Sequence, residues 1–226
     1  DKGLNVFNPR TGKVDYFNIE NGKLQSNTVT AIYRDSRQNI WLGTANGMVL
    51  TNDDLTRFKY YALVDSVKGI SKVNRGITSI VEVNNNLIAS GSSGIYIQRN
   101  ANAFYIYDNL SDYTLTSFYD KKNNFLIVGK YGSDALVLKV NSAGNSIALQ
   151  KLKILPDIKS LRCVKRDKLT GYFLFATDKG LIVYDDSDDR IVTTINEAKG
   201  LANEFIYSIL QDSLFRIWVS SNKGLS

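Results

Sequence analysis

The chain contains no histidine, one cysteine, two prolines and one methionine in 226 residues. Without histidine there is no Ser-His-Asp or Cys-His nucleophile system. The usual acid–base residue near neutral pH and the commonest transition-metal ligand are missing as well. Cys163 is alone, which excludes an internal disulfide and a thiolate metal cluster. It lies in the apolar run Leu161-Arg-Cys-Val164 and reads as a packed thiol, not a nucleophile. Two prolines and no low-complexity tract argue against linkers and disorder. No apolar run approaches the roughly 18 residues of a membrane span, there is no signal peptide, and no Gly-rich phosphate loop occurs. The formal charge of +6 is spread along the chain without interleaved basic and aromatic strand patterns, so the basicity reads as a solvated surface and no nucleic-acid partner is expected. No Asp/Glu pair is singled out for glycosidase chemistry. No catalytic residue, metal site or cofactor is therefore assigned.

What is present is a repeat. Val29-Thr-Ala-Ile-Tyr-Arg-Asp35, four turn residues, then Ile40-Trp-Leu-Gly-Thr44 and Gly47-Met returns near the C-terminus as Ile206–Asp212, Ile217-Trp-Val-Ser-Ser221 and Gly224-Leu. In both copies Asp to Trp and Trp to Gly are 6 residues apart. Weaker copies run from Ile77, Leu115 and Ser160, and the marker glycines Gly3, Gly47, Gly94, Gly132, Gly180 and Gly224 are 44, 47, 38, 48 and 44 residues apart. A period of roughly 40–50 built from four short strands is the signature of β-propeller blades. No unit carries apolar residues at helical spacing long enough for a helix.

Alternation of side chains puts Trp41 on one face of its strand and Ile40 and Leu42 on the other. Both faces are apolar, as in a sheet sandwiched between neighbouring blades. Trp41 and Trp218 fill an inter-blade slot taken elsewhere by Ile88, Ile127 and Leu174. Gly47 and its equivalents supply positive φ at a turn, and Asp35 and Asp212 bond the amides of theirs. The fold class is all-β, of four-stranded antiparallel propeller blades in about five units. These divide one segment, 1–226, into a half blade 1–20, blades at about 21–61, 76–108, 112–155 and 157–196, and a half blade 203–226. The two half blades either share a blade in a five-bladed ring or are cut from a longer array. Lys-Gly-Leu at both ends favours the array, and a first residue that is not Met marks a processed or excised piece.

Three stretches invite a functional reading. The connection Ala62–Gly76 exceeds the usual loop length and carries Asn74 and Arg75. Tyr131 sits in a blade-end turn beside Lys130, and Lys179 occupies the corresponding turn of the next blade. Asn74, Arg75, Lys130, Tyr131 and Lys179 are the candidate ligand-binding residues, because aromatic rings and polar neighbours at a blade end suit sugar rings. Asp185-Asp-Ser-Asp-Asp189 lacks EF-hand spacing and reads as an acidic turn, not a Ca²⁺ site.

The pattern Val-x-x-Ile-x-x-Asp, four turn residues, Ile-Trp-Leu-Gly-Thr and a following Gly resembles the two-component-regulator propeller repeat, as does Leu201-Ala-Asn203 leading into Ile206–Leu225. The middle copies lack the Trp, and the second lacks the Asp, while the marker glycine persists. The resemblance implies the extracytoplasmic, periplasmic sensor region of a hybrid histidine kinase of Bacteroidetes type, usually two seven-bladed propellers, of which this chain is a fragment. It further implies an oligosaccharide or other small ligand, homodimerisation through the parent sensor and no membrane contact by this segment. Two alternatives stand beside it: a non-catalytic protein-interaction scaffold and, less favoured, a propeller lyase or glycosidase.

Overall fold

The computed structural model describes residues 2–65, 75–99, 102–107, 113–143 and 146–226. Among them are 21 strands, one 3-10 turn (Glu197–Lys199) and no α-helix. No helix among the described residues is long and apolar enough to cross a membrane. The strands follow the sequence period. β1 (Leu4–Phe7) pairs with β2 (Val14–Phe17). The first full blade is β3 (Val29–Arg34), β4 (Ile40–Thr44), β5 (Gly47–Thr51) and β6 (Phe58–Val64). The second is β7 (Ile77–Val83), β8 (Asn86–Gly91), β9 (Gly94–Gln98) and β10 (Ala103–Tyr107). The third is β11 (Thr114–Asp120), β12 (Phe125–Lys130), β13 (Asp134–Ala143) and β14 (Ser146–Lys159), and the fourth β15 (Cys163–Arg166), β16 (Phe173–Thr177), β17 (Gly180–Asp185) and β18 (Arg190–Ile195). β19 (Ile206–Gln211), β20 (Ile217–Ser221) and β21 (Gly224–Leu225) close the series as a three-stranded sheet. The chain is all-β and built of propeller blades.

It divides into two compact units, Asp1–Tyr113 with Ser142–Ala148, and Thr114–Asn141 with Leu149–Ser226. In the first unit the two blades do not stay separate sheets. β10 pairs in parallel with β6 (Ala103↔Ala62 to Tyr105↔Val64), giving one eight-stranded sheet in the order β3-β4-β5-β6-β10-β9-β8-β7. The apolar outer strands Phe58–Val64 and Ala103–Tyr107 thus cover edges that would otherwise stand unpaired. At the inner end the Thr30 hydroxyl donates to the Gly43 carbonyl (3.0 Å) and to that of Ile77, tying β3 to β7. Between the two blades lie Trp41, Met48, Tyr61, Leu63, Leu87, Tyr96 and Phe104. Trp41 is tilted against Tyr61 (4.9 Å between centroids) and edge-on to Phe104 (5.8 Å). Leu42 and Val49 point the other way, onto Leu4 and Leu24.

The second unit repeats that directionality. Ile127, in the Trp slot, packs forward onto Val164, Phe173 and Phe175 of the next blade, and Leu174 packs forward onto Ile206, Ile209 and Val219. Two glycines mark where backbones meet. A Cβ on Gly129 would stand 2.1 Å from the Leu161 carbonyl oxygen, and one on Gly91 1.9 Å from that of Gly76.

The fixed Asp-to-Trp spacing has a direct cause. Asp35 is 2% exposed; its Oδ1 accepts the amides of Arg37 (3.0 Å) and Asn39 (2.8 Å), and its Oδ2 accepts the Asn39 amide side chain and the Trp41 indole N–H (both 2.9 Å). The turn closes through Gln38 at φ 67. Asp212 repeats this with the amides of Leu214 and Arg216 (2.9 Å each) and with Trp218 Nε1 (3.0 Å), through Phe215 at φ 62. A buried indole N–H needs an acceptor, so each Trp here has its Asp, whereas Asp120 and Asp167 keep the turn carboxylate with Ile127 and Leu174 in the Trp slot. The second blade has neither: there the turn is Asn84-Asn85, both at positive φ (48 and 63), the two-residue hairpin that matches strand twist.

Candidate ligand-binding site

Within the second unit the strands end at two distinct rims. β12 runs from Phe125, at the end carrying the first and third hairpin turns, to Lys130, at the end carrying the marker-glycine turns. Lys130, Tyr131 and Lys179 all lie at the marker-glycine end. Tyr131 is 64% exposed, Lys130 is half-buried, and Lys179 is exposed in the β16–β17 turn, its amide bonded to Thr177 Oγ1 (3.1 Å). Arg75 belongs to the first unit, half-buried and within electrostatic reach of Tyr96. Asn74 lies outside the described residues.

The residues around Tyr131 and Lys179 are more informative than the two themselves. Inner strands in this fold begin with a register shift, between Val29 and Ala31, Ile77 and Ser79, Thr114 and Thr116, and Ile206 and Ser208. The bulged residues are Thr30, Thr78, Leu115 and Tyr207; Arg162 holds the same position, five before Asp167 as Thr30 is five before Asp35. A bulge re-aims its side chain at the sheet rim. Arg162 Nη1 donates to the Ser160 carbonyl (2.8 Å) and its guanidinium carbon stands 3.8 Å over the Phe205 ring, a cation–π contact. Phe205 meets Tyr207 edge-on at 5.2 Å, and the Tyr207 hydroxyl bonds Asn222 Oδ1 (2.5 Å). The Gly132 amide donates to Ser160 Oγ (3.1 Å), which draws the Tyr131 turn to the start of the Arg162 strand.

Desolvation pulls the Arg162 guanidinium below the ordinary arginine range, while the nearby Asp178, Tyr207 and Tyr131 act to hold its proton. Two acceptors at this end are buried without a hydrogen-bond partner among the described residues, Asp178 Oδ1 and Asn196 Oδ1. They stand in neighbouring turns, since Asn196 Cα lies 3.4 Å from where a Cβ of Gly180 would be. Buried polar atoms are normally satisfied. This end thus brings together two unsatisfied acceptors, an arginine and two partly exposed rings. Of the residues proposed from sequence, Tyr131, Lys130 and Lys179 lie at this end; Arg162, Asp178, Asn196, Phe205 and Tyr207, which share it, were not among them. Alignment of the repeats on their Asp would have flagged Arg162 and Tyr207 as rim residues.

At the opposite end three inner strands, β7, β15 and β19, bond the turn of the preceding blade. Glu82 accepts the Ser36 amide (2.8 Å) and hydroxyl (2.6 Å), and Gln211 accepts the Lys168 amide (2.9 Å) while donating to Asp167 Oδ1 (2.6 Å). Arg166 is the charged version. Its Nη2 donates to Asp120 Oδ2 (2.8 Å) and Asp186 Oδ2 (3.0 Å), its Nη1 to Asp186 Oδ1 (3.1 Å) and the Gly171 carbonyl (2.5 Å). Asn123 also donates to Asp120 (2.8 Å) and Asp186 (3.1 Å). Burial works against the guanidinium's charge, but the Asp186 and Asp120 bonds prevail and raise its pKa; Asp186 is held low despite its own desolvation. Beside this cluster opens a cavity of about 360 Å³.

The acidic turn 185–189 does not converge on one point. Asp185 accepts Ser187, Asp186 accepts Arg166, Asp188 accepts Arg190, and Asp189 pairs with Lys153 (2.5 Å) and with the Tyr184 hydroxyl. Burial and these carboxylates push the Tyr184 phenol well above its usual range. Among the described residues no three His, Cys, Asp or Glu side chains converge as metal ligands.

Residues 23–46 match the family described as two component regulator propeller, so the chain carries that repeat over its first complete Asp-to-Trp unit. No curated protein matches the chain. Among solved structures it is similar to the β-propeller domain of Cps50 (Swd1) from Myceliophteria thermophila (13% identity, TM-score 0.60, covering 88% of this chain and 63% of that one). It is similar also to a gluconolactonase of Xanthomonas campestris (13%, TM-score 0.65, 99% and 77%). A chain described as the extracellular domain of a hybrid two component system from B. thetaiotaomicron is 16% identical at TM-score 0.38, over 99% of this chain and 46% of that one. Identities this low speak to fold alone.

Proposed function

We propose that the chain is a non-catalytic, ligand-sensing propeller segment of an extracytoplasmic two-component sensor, facing the periplasm in a larger membrane protein. Its input is an oligosaccharide, bound at the marker-glycine end of the second unit by Tyr131, Arg162, Asp178 and Tyr207. The observation that supports the ligand class is the pair of unsatisfied buried acceptors, Asp178 Oδ1 and Asn196 Oδ1, beside the Arg162–Phe205 stack. Sugar hydroxyls supply donors to such acceptors, and their C–H faces pack on exposed rings such as Tyr131 and Tyr207. The matched repeat at residues 23–46 supports the sensor reading. Binding shifts the packing of this end and passes to a partner copy of the parent and then to its kinase.

The test is thermal melting of the purified protein against a panel of plant and host oligosaccharides, since a ligand selective for the folded state raises the melting temperature by mass action. Binding by one sugar class, abolished in Arg162→Ala and weakened in Asp178→Asn, supports the reading. No response across the panel overturns it and leaves the scaffold alternative.

A further inference from the structure

The Arg166 cavity is a second site, at the other end of the same unit from the oligosaccharide site. Its floor is apolar, formed by Ile127, Val137, Leu155 and Phe175, each at most 3% exposed. Phe173 and Phe175 stack at 5.6 Å with an interplanar angle of 10°, and the Arg166 guanidinium covers Phe173 at 3.9 Å. Its mouth carries Lys122, Lys153, Tyr172 and Ser187. At about 360 Å³ the volume is at the small end of the range for ligand sites.

The balance of hydrogen-bonding groups selects the ligand. Both oxygens of Asp186 are taken by Arg166 and Asn123, and Asp120 Oδ2 is taken by the same two side chains. Asp189 Oδ1 is occupied by Lys153 and Tyr184. These carboxylate oxygens at the mouth are therefore already engaged by donors of the protein. Cationic donors are left over: Lys122 makes no hydrogen bond among the described residues, and Lys153 uses its ammonium on Tyr184 and Asp189, leaving one of three protons. Surplus cationic donors above an apolar aromatic floor call for an acceptor on a flat apolar body.

We infer that this cavity binds a small aromatic carboxylate, its ring on the Phe173–Phe175 side and its carboxylate between Lys122 and Lys153 at the mouth. Charge-assisted hydrogen bonds to the carboxylate give direction, and the floor contributes burial.

Benzoate and phenylacetate are the probes, titrated calorimetrically into the purified protein, with benzamide and glucose as neutral comparators. The expected result is saturable binding of the two acids and none of benzamide or glucose at the same concentrations. Lys122→Gln, at an exposed position, weakens benzoate about fivefold. Ser187→Trp, which fills the mouth from an exposed turn, abolishes binding while circular dichroism stays unchanged. Lack of saturation by either acid overturns the inference. So does benzamide or glucose binding as tightly as benzoate, or Ser187→Trp binding like the wild type in a folded protein.

Discussion

Removing the Asp35 carboxylate tests the claim that one side chain both closes the first turn and satisfies the buried indole of the adjacent strand. Asp35→Ala deletes four accepted hydrogen bonds, from Arg37 N, Asn39 N, Asn39 Nδ2 and Trp41 Nε1. The turn groups can turn to water. The indole cannot, because Trp41 is 1% exposed and enclosed by Tyr61 and Phe104. A buried donor left without a partner costs about 1–3 kcal/mol, and lost turn bonds add about 1 more, so Asp35→Ala should cost about 2–4 kcal/mol. Asp212→Ala removes two turn amide bonds, the Arg216 pair and the Trp218 indole bond from an exposed turn with a half-buried Trp218, whose groups can all turn to water, and should cost clearly less than Asp35→Ala. The assay is urea denaturation followed by far-UV circular dichroism, read as midpoint shifts at unchanged m-value. A Trp41→Phe background, which has no indole N–H, should reduce the cost of Asp35→Ala by about 1–2 kcal/mol in a double-mutant cycle. Equal costs at Asp35 and Asp212, or full additivity with Trp41→Phe, would refute the reasoning.

Other outcomes follow from the same geometry. Desolvation alone would raise the Asp35 carboxyl, but its bonds from Trp41, Asn39 and Arg37 outweigh that and hold it below the ordinary 3.8. Its stabilisation is therefore present above about pH 4 and lost as pH falls through the folded value, so Asp35→Asn should flatten the acid limb of a stability–pH curve. Arg166→Met strands the nearly buried Asp120 and should cost about 3 kcal/mol, with part recovered in Arg166→Met/Asp120→Asn; thermal melts of the three proteins check this. Gly129→Ala should prevent stable folding, because its Cβ meets the Leu161 carbonyl at 2.1 Å. Gly132→Ala, at φ 66 in open space, should cost only about 1–2 kcal/mol by denaturation.

Much of the fold was legible because the propeller writes its rules into short intervals. Leu4–Phe7 and Val14–Phe17 were readable as strands from alternation alone, and Trp41, Ile127 and Leu174 from their shared slot between blades. The parallel pairing of β6 with β10 was not readable, because apolar outer strands look the same whether an edge is free or paired. The candidate site was half visible. Tyr131 and Lys179 stand out as an aromatic and a cation in turns. Arg162 hides within an apolar run, and its role depends on its place just before β15 and on Phe205, 43 residues away in sequence. The Arg166 cavity was invisible because its charges and its floor come from separate strands and turns that only folding brings together.

The most direct test of the sensor reading is hydrogen–deuterium exchange of the protein with and without the first oligosaccharide of the panel that raises its melting temperature. The account predicts added protection at residues 130–132, 160–162, 178–180 and 203–207, where Tyr131, Arg162, Asp178 and Tyr207 lie. Protection confined to 166–173 and 185–190, or an absence of any stabilising oligosaccharide, would contradict it.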